Sequence, residues 1–339
     1  MKKKGTARFI FLVMLVLLLA SCRGDRSSDS NDQASALVIW TYDSFVSDWG
    51  PGPEVARIFE EKTGIRISWV NHRGAGSVVS RLLSEGENAG ADIILGIDQN
   101  MAFRLEGSPL LEPYKPSGAE NIFPHLILCP DFRLIPMDYS FFAIVYDSYA
   151  IPNPPRNLDD LTHPRFNRSL ILIDPRTSSV GLGFFGWVRA IYGDDWRDFW
   201  QRLQPSILTI TEGWSSAYGL FTRGEAPMVL SYTTSPGSHL EFEQTERFQA
   251  AIFPEGHSMQ IQAAALLRNA PNMENARAFL DFMLTPYFQN IIPLTNWMYP
   301  VIDIPLPYSF RINPKSDTPI MNSPVTEAEL NEWAALMMR

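Results

Sequence analysis

The chain has 339 residues, of which 45% are hydrophobic and 19% are charged, and its formal net charge is −9. It is long enough to form two lobes, and its acidic charge argues against a nucleic-acid-binding protein. The five histidines are scattered, with no pair at the spacing of metal ligands, so we expect no dedicated metal site.

The N-terminus has the pattern of an export signal. A basic segment, residues 2–8, precedes an apolar run over residues 9–20 that is too short to span a bilayer. The run leads into LASC, residues 19–22, which resembles the bacterial lipobox. The resemblance implies cleavage before Cys22 and acylation of its thiol, with residues 1–21 as a lipoprotein signal peptide. The alternative is an ordinary secretory signal with a coincidental cysteine.

The segment that follows, residues 22–36, is predicted to be a flexible tether. Residues 23–35 carry no large apolar side chain and are rich in serine, aspartate and asparagine. No burial there can offset the entropy lost on ordering. We therefore expect a globular body that is lipid-anchored to the membrane, in the bacterial cell envelope on the periplasmic or outer-surface side.

Strands and helices alternate through the rest of the chain, which predicts an α/β fold with a mostly parallel sheet. Pro53 near the start of one helix and Gly64 just past its end are typical helix boundaries. Strands are predicted at residues 37–40, 65–70, 91–95, 141–146, 170–173, 228–230 and 260–267, and helices at residues 53–62, 77–84, 182–192, 195–203, 215–222, 272–284 and 327–337.

This order of elements favours two lobes with a ligand cleft between them. We assign residues 37–136 and about 255–310 to lobe 1, and residues 137–254 and about 311–339 to lobe 2. After acylation of Cys22 only Cys129 remains, so no internal disulfide is expected. We expect a monomer.

Polar and aromatic residues cluster where the predicted strands end. Tyr42, Asp98 and Tyr232 all follow or close a strand, and ligands of open α/β sheets bind at the carboxyl ends of strands. Aromatic faces suit a flat or cationic ring. Ser178 and Ser179 precede a helix, whose positive end favours an anion such as phosphate.

Each of these residues also has a purely structural interpretation. A tyrosine at a strand end is more often a core residue, and a lone tryptophan such as Trp214 or Trp297 can simply pack a helix. Asp98 can be the N-cap of the helix that follows it.

Seven segments resemble the thiamine-binding proteins of bacterial thiamine ABC transporters. The resemblance extends from about residue 37 to 301, and it rests on long, uncommon strings. They are YDSF (42–45), DWGPGP (48–53), DPRTS (174–178), GWS (213–215), AYGLF (217–221), LSYTTSP (230–236) and NWMYPV (296–301).

The resemblance implies the two-lobed type II periplasmic-binding-protein fold. It also implies that the protein binds thiamine or its mono- or diphosphate, needs no cofactor, has no catalytic residue, and delivers its ligand to a membrane permease driven by an ATPase. The candidate ligand-binding residues are Tyr42, Asp98, Ser178, Ser179, Trp214, Tyr232, Thr233, Thr234, Ser235 and Trp297, of which Tyr42 and Trp297 supply aromatic walls in the family and Asp98 comes from the strand-end argument alone.

The chain departs from the family at two places in the site. Residues 236–239 are PGSH where the family has PAYH, so that Ser238 replaces a stacking tyrosine. Residues 72–76 are HRGAG where the family has an acidic loop, so no role is assigned to Gly74 or Ala75. Placing Arg73 at the mouth would disfavour a bare cation and favour a phosphate.

Two rival functions remain for this fold. Thiaminase I resembles these proteins in fold and attacks thiamine with a cysteine, which makes Cys129 a candidate nucleophile, although no histidine lies beside it in the sequence. A ferric-ion-binding protein would use paired tyrosines, whereas Tyr232 is followed by Thr233.

Overall fold

The computed structural model of the protein describes residues 36–105, 107–312 and 318–337. The predicted signal peptide, Cys22 and all of the tether except residue 36 lie outside the described residues. Among the residues described, no helix combines the length and the apolar character needed to cross a membrane.

The described chain alternates strands with helices, as the sequence predicts. The strands are β1 Leu37–Tyr42, β2 Ile67–His72, β3 Ile93–Asp98, β4 Leu111–Glu112, β5 Ile135–Asp147, β6 Leu170–Ile173, β7 Ile207–Thr211, β8 Met228–Tyr232, β9 Phe248–Ala251, β10 His257–Leu267, β11 Tyr299–Pro300 and β12 Pro319–Ile320.

The α-helices are α1 Asp43–Val46, α2 Gly52–Thr63, α3 Ala75–Glu85, α4 Gln99–Ala102, α5 Ser179–Tyr192, α6 Trp196–Leu203, α7 Trp214–Thr222, α8 Pro236–Glu243, α9 Met273–Met283, α10 Pro286–Gln289, α11 Ile292–Thr295, α12 Tyr308–Ile312 and α13 Glu327–Met337. Short 3-10 helices lie at Gly86–Asn88, Phe103–Leu105, Ala119–Asn121, Pro124–Leu126, Asp159–Thr162, Pro164–Phe166, Gly193–Asp195 and Gln204–Ser206.

Two sheets share one long strand. In the first, β1 pairs in parallel with β2 and β3, and β10 runs antiparallel to both β3 and β5. In the second, the later half of β5 pairs with β8 and β9, and β6 runs parallel to β7 and β8. All thirteen residues of β5 are buried. The predicted boundary between residues 136 and 137 falls within this strand, and the exact division into lobes stays a prediction.

Every predicted strand and helix has a counterpart, with ends that move by a few residues. The prediction of a mostly parallel sheet is wrong, because the long strands β5 and β10 run antiparallel to β3, β8, β9 and each other. The strand predicted at residues 37–40 continues to Tyr42, and the strand predicted at 141–146 begins already at Ile135. The elements without a predicted counterpart include the strands β7 and β9 and the helix α8, together with strands of two residues and helices of four or five. Helix α8 begins Pro-Gly-Ser and has no continuous apolar stripe, so its sequence carries little helical pattern.

The C-terminal segment returns to both sheets. Asn322 Nδ2 donates to Asn100 Oδ1 in α4 at 2.9 Å and to the Gly183 carbonyl in α5 at 3.0 Å. The Ser258 hydroxyl in β10 donates to Asn322 Oδ1. One side chain therefore joins α4 and α5 to β10 of the first sheet.

Candidate functional site

A cleft with an empty volume of about 650 Å³ lies where the strand ends of both sheets meet. Aromatic rings, hydroxyls, one carboxylate and one guanidinium face it. Its lining consists of Tyr42, Asp43, Ser44, Trp49, Arg73, Gly74, Ala75, Gly96, Ser178, Ser179, Val180, Trp214, Tyr232, Ser235, Gln262, Asn296, Trp297 and Met298.

Tyr42, the last residue of β1, is held from two sides. Its hydroxyl donates to Asn296 Oδ1 at 3.2 Å, and Asn296 Nδ2 donates to Asp138 Oδ2 at 2.7 Å. Its ring packs on Gly96, where a Cβ atom would lie only 2.1 Å from a ring carbon. Gly96 also has φ +87°, a left-handed conformation that glycine adopts most easily. The local backbone thus makes room for the ring.

The floor behind Tyr42 contains a fully buried carboxyl group. Asp138 lies in β5 and has no solvent exposure. Burial raises its pKa to about 8, although the hydrogen bond from Asn296 opposes this shift. Burial, with the nearby Asp138 charge, also raises the pKa of the Tyr42 phenol well above its usual value. Below pH 8 both groups are therefore neutral hydrogen-bonding groups.

Trp214 forms an aromatic wall on the side of the second sheet. Its indole Nε1–H donates to Ser231 Oγ at 2.8 Å, which fixes the ring. The ring stacks on Tyr218 with centroids 4.8 Å apart and planes at 19°. Trp49 stands 6.2 Å away at 55°. The side chain of Trp49 is 53% exposed, so this wall extends to the mouth of the cleft.

Trp297 supplies the aromatic surface near Met298. It has φ +55°, which is uncommon for a residue with a large side chain. Its ring lies 6.0 Å from that of Phe310, nearly parallel to it, and meets Phe242 edge-on at 5.6 Å. The rings of Phe310 and Phe242 thus hold the Trp297 ring in place at a residue with an uncommon backbone conformation.

The segment 231–235 splits between the cleft and the protein interior. Ser235 and Tyr232 line the cleft, and Ser235 Oγ is 2.7 Å from Ser231 Oγ. Thr233 and Thr234 are fully buried and lie outside the lining. The Thr234 hydroxyl lies 3.0 Å from Ser140 Oγ and also bonds the Trp297 carbonyl, so it supports the wall from behind.

Asp98 also lies behind the cleft. It caps α4, accepting from the backbone N–H of Asn100 at 3.0 Å and of Met101 at 2.9 Å. Gln260 Nε2 donates to its other oxygen at 2.7 Å, and the Tyr232 hydroxyl donates to Gln260 Oε1 at 2.7 Å. The contacts of Asp98 are therefore those of a helix cap. Any effect of Asp98 on a ligand passes through Gln260 and Tyr232.

Ser178 and Ser179 stand at the N-terminus of α5, a helix of 14 residues. Ser178 Oγ accepts from the Val180 N–H at 3.2 Å, so Ser178 is the N-cap. Both residues line the cleft. The positive end of α5 therefore faces the space where a ligand would lie.

The charged residues of the lining are Asp43 and Arg73. Within the described part of the chain, the Asp43 carboxylate has no cationic partner, and burial raises its pKa. Arg73 pairs with Glu212 across the mouth at 2.6 Å, and both side chains are well exposed. Sequence reasoning did not select Asp43 as a site residue, although its position directly after Tyr42 was a usable signal.

Cys129 lies away from this cleft, in a separate depression beside Leu128 and Leu134. Burial raises the pKa of its thiol, and its Sγ accepts from the Leu134 N–H at 3.3 Å. Within the ranges that the structure covers, no group of three or more histidine, cysteine, aspartate or glutamate side chains could hold a metal ion.

Comparisons with known proteins give a consistent result. Residues 51–293 match the family model described as bacterial extracellular solute-binding protein. The chain is 42% identical over 313 residues to the thiamine-binding periplasmic protein of Brucella abortus biovar 1 (strain 9-941), covering 89% of this chain and 92% of the relative. It is 39% identical over 312 residues to the protein of the same description from Escherichia coli (strain K12), covering 89% and 94%.

A solved structure of a periplasmic thiamin binding protein superposes with a TM-score of 0.85. The two sequences are 39% identical, and the superposition covers 90% of this chain and 96% of the other. The likeness confirms the two-lobed architecture expected from the sequence.

Proposed function

The chain belongs to the bacterial extracellular solute-binding proteins, and we propose that it captures thiamine or a thiamine phosphate and delivers it to a membrane permease driven by an ATPase. The observation that carries this proposal is the cleft, in which the aromatic wall of Trp214 faces the same space as the Asp43 carboxylate, which has no cationic partner among the described residues. Relatives with 39–42% identity are described as thiamine-binding periplasmic proteins.

Thiamine consists of a flat aminopyrimidine, a cationic thiazolium ring and a hydroxyethyl tail that can carry phosphate. Trp214, Tyr42 and Trp297 offer aromatic faces that attract flat and cationic rings. Asp43 supplies the charge that a thiazolium needs, and a cation beside this half-buried carboxylate would favour its ionised form.

A phosphorylated tail is negatively charged and needs positively charged groups, in contrast to the thiazolium ring. Ser178 and Ser179 present hydroxyls and the positive end of α5, and Arg73 lies at the mouth. Each of these groups attracts a phosphate. We therefore propose that the protein binds thiamine and also its mono- and diphosphates.

We further propose that the protein returns its ligand unchanged. An enzyme that cleaves thiamine needs an activated thiolate near the ligand. Cys129 is outside the cleft lining, and burial raises the pKa of its thiol. A ferric-ion carrier needs free oxygen ligands, whereas the Tyr42 and Tyr232 hydroxyls are bonded to Asn296 and Gln260.

For its location, we propose the periplasmic or outer-surface side of the cell envelope, with a monomer anchored through acylated Cys22. The support is the sequence LASC at residues 19–22 and the polar segment that follows it. Cys22→Ser should release the protein from the membrane fraction without changing ligand affinity. An uncleaved variant that stays membrane-bound at the size of the wild-type protein contradicts this anchor.

The function is tested by titrating the mature protein, without a lipid, with thiamine, its mono- and diphosphate, and Fe³⁺ in a calorimeter. We expect saturable binding of thiamine compounds and none of Fe³⁺. Thiamine held overnight with excess protein and aniline should be recovered intact by chromatography. Release of free thiazole by the wild-type protein, but not by Cys129→Ser, would make it an enzyme instead.

A further inference from the structure

Gln262 is the one glutamine in the cleft lining, and it lies where β10 is irregular on both sides. Its Cα partners are Asp98 on β3 and Asp138 on β5. Directly after it the pairing with β5 skips Met137, and one residue later the pairing with β3 skips Gly96, so each of these residues has no partner on β10. Such bulges bend strands and redirect side chains, and they are frequent beside binding sites.

The amide of Gln262 has a free acceptor. Its side chain lies beside the Tyr42 phenol, where it opposes the burial that raises the pKa of this phenol. The amide oxygen Oε1 is buried and has no hydrogen-bond partner in the protein. Gln262 as a whole is only 7% exposed. A buried acceptor without a partner is costly and rare in native proteins, so its partner is expected from outside the chain.

The neighbouring glutamine shows the contrast. Gln260 lies two residues earlier on the same strand and is fully buried. Its oxygen accepts from the Tyr232 hydroxyl, and its nitrogen donates to Asp98. Both ends of Gln260 are therefore satisfied within the protein, and it lies outside the cleft lining. Of these two glutamines, only Gln262 presents a free amide oxygen to the cleft.

We propose that Gln262 Oε1 accepts a hydrogen bond from the exocyclic amino group of the ligand's pyrimidine ring, and that this bond determines specificity. The inference rests on the proposed function and deepens it. Stacking on Trp214 tolerates many flat rings, and Asp43 attracts many cations. A neutral buried acceptor rejects a ring without an N–H donor, because the acceptor then stays unpaired.

The test compares thiamine with its analogue that has hydrogen in place of the exocyclic amino group. The wild-type protein should bind thiamine roughly tenfold or more tighter, since a lost hydrogen bond of ordinary strength corresponds to about that factor. In Gln262→Met the affinity for thiamine should fall by a similar factor, while the analogue changes less than about twofold. In this variant the ratio of the affinity for thiamine to the affinity for the analogue then approaches one.

Gln260→Met is the matched control. It removes a glutamine whose amide is already satisfied, so it should lower the melting temperature more than Gln262→Met does. Any loss of affinity should affect thiamine and the analogue equally, because Gln260 acts through Tyr232.

Three results overturn the inference. One is a wild-type protein that binds thiamine and the analogue equally, which needs no variant at all. A second is a Gln262→Met protein that keeps the wild-type ratio or loses both ligands in parallel. The third is a Gln262→Met protein that loses thiamine binding but keeps thiamine monophosphate binding. This result would identify the hydroxyl of the thiamine tail, which the monophosphate lacks, as the donor to Gln262 Oε1. A wild-type protein that binds no thiamine compound rejects the proposed function itself.

Discussion

Arg73 and Glu212 form an ion pair of 2.6 Å that joins the two sides of the cleft mouth. Arg73 follows β2 of the first sheet, and Glu212 follows β7 of the second. The backbones also approach here, because a Cβ atom on Gly74 would lie 3.1 Å from the Thr177 carbonyl and one on Gly213 would lie 3.2 Å from the Arg73 carbonyl. The structure therefore has a closed mouth.

Arg73→Ala should weaken binding of thiamine monophosphate more than binding of thiamine. The ion pair is exposed, so its own contribution is small, about 0–1 kcal/mol. A phosphate at the mouth loses a nearby positive charge as well, and the effect should shrink in high salt. Calorimetry at two ionic strengths measures it. Arg57→Ala is the control, since Arg57 pairs on exposed α2 with Glu54 and Glu61. An equal loss for both ligands contradicts the expectation.

Gly96→Ala should weaken ligand binding by displacing the ring of Tyr42. The new Cβ atom would lie 2.1 Å from that ring, and the backbone has φ +87°. Gly224→Ala is a matched control, because Gly224 has φ +79° but no atom within 4 Å. Both variants should lose about 1 kcal/mol of stability from backbone strain. Only Gly96→Ala should lose affinity as well, and an unchanged affinity would show that Tyr42 is not held by this contact.

Trp214→Ala should reduce binding free energy by roughly 1–3 kcal/mol through lost stacking and cation–π attraction. Its melting temperature without ligand should change little compared with Trp196→Ala. Trp196 is 1% exposed and packs 4.8 Å from Phe185, so its removal creates a core cavity. The same experiment applies to Tyr232 and Trp297. Should Trp214→Ala unfold the protein while the folded fraction keeps its affinity, the residue belongs to the core.

Asp138 should make the folded state less stable as the pH rises. Its pKa is about 8 in the folded protein and 3.8 as an isolated carboxyl group, so the folded state holds a proton that the unfolded chain releases. The stability from this proton is complete below pH 3.8 and is lost as the pH rises to 8. The Asp138→Asn variant does not lose stability in this way, because its amide does not titrate. Its free energy of unfolding relative to wild type should therefore increase between pH 5 and 8, by at most about 1.4 kcal/mol per pH unit.

Denaturation in urea at pH 5, 6, 7 and 8 measures this difference. Asp147→Asn is the control, because Arg247 lowers the pKa of Asp147 and its titration lies below this range. The difference between that variant and the wild-type protein should stay constant from pH 5 to 8. A flat profile for Asp138→Asn as well would mean that Asp138 is ionised in the folded state.

The sequence predicts the parts of the site that lie at the ends of recognisable strands and helices. Tyr42 and Tyr232 end strands, and Ser178 and Trp214 begin helices, and all four line the cleft. The alternation of elements was sufficient to place them. Their roles in ligand binding stay predictions.

The roles of other residues in the site depend on strand pairing, burial and hydrogen bonding in the folded protein, which the sequence does not indicate. Gln262 lies within an apolar strand, and nothing in its neighbours indicates two bulges beside it. Asp138 becomes a buried carboxyl group only because β5 has neighbours along its whole length. Asp98 has the sequence pattern of both a helix cap and a site residue, and only its hydrogen bonds show which contacts it makes.

Asn322 indicates where the protein can pivot. Its amide bonds simultaneously to Asn100 in α4, Gly183 in α5 and Ser258 in β10. A rotation that opens the cleft preserves these bonds only if its axis passes close to Asn322. An opening about such an axis would break the Arg73–Glu212 ion pair across the mouth. A side chain outside the cleft lining, near the C-terminus, thus restricts the rotations by which the cleft can open without breaking hydrogen bonds.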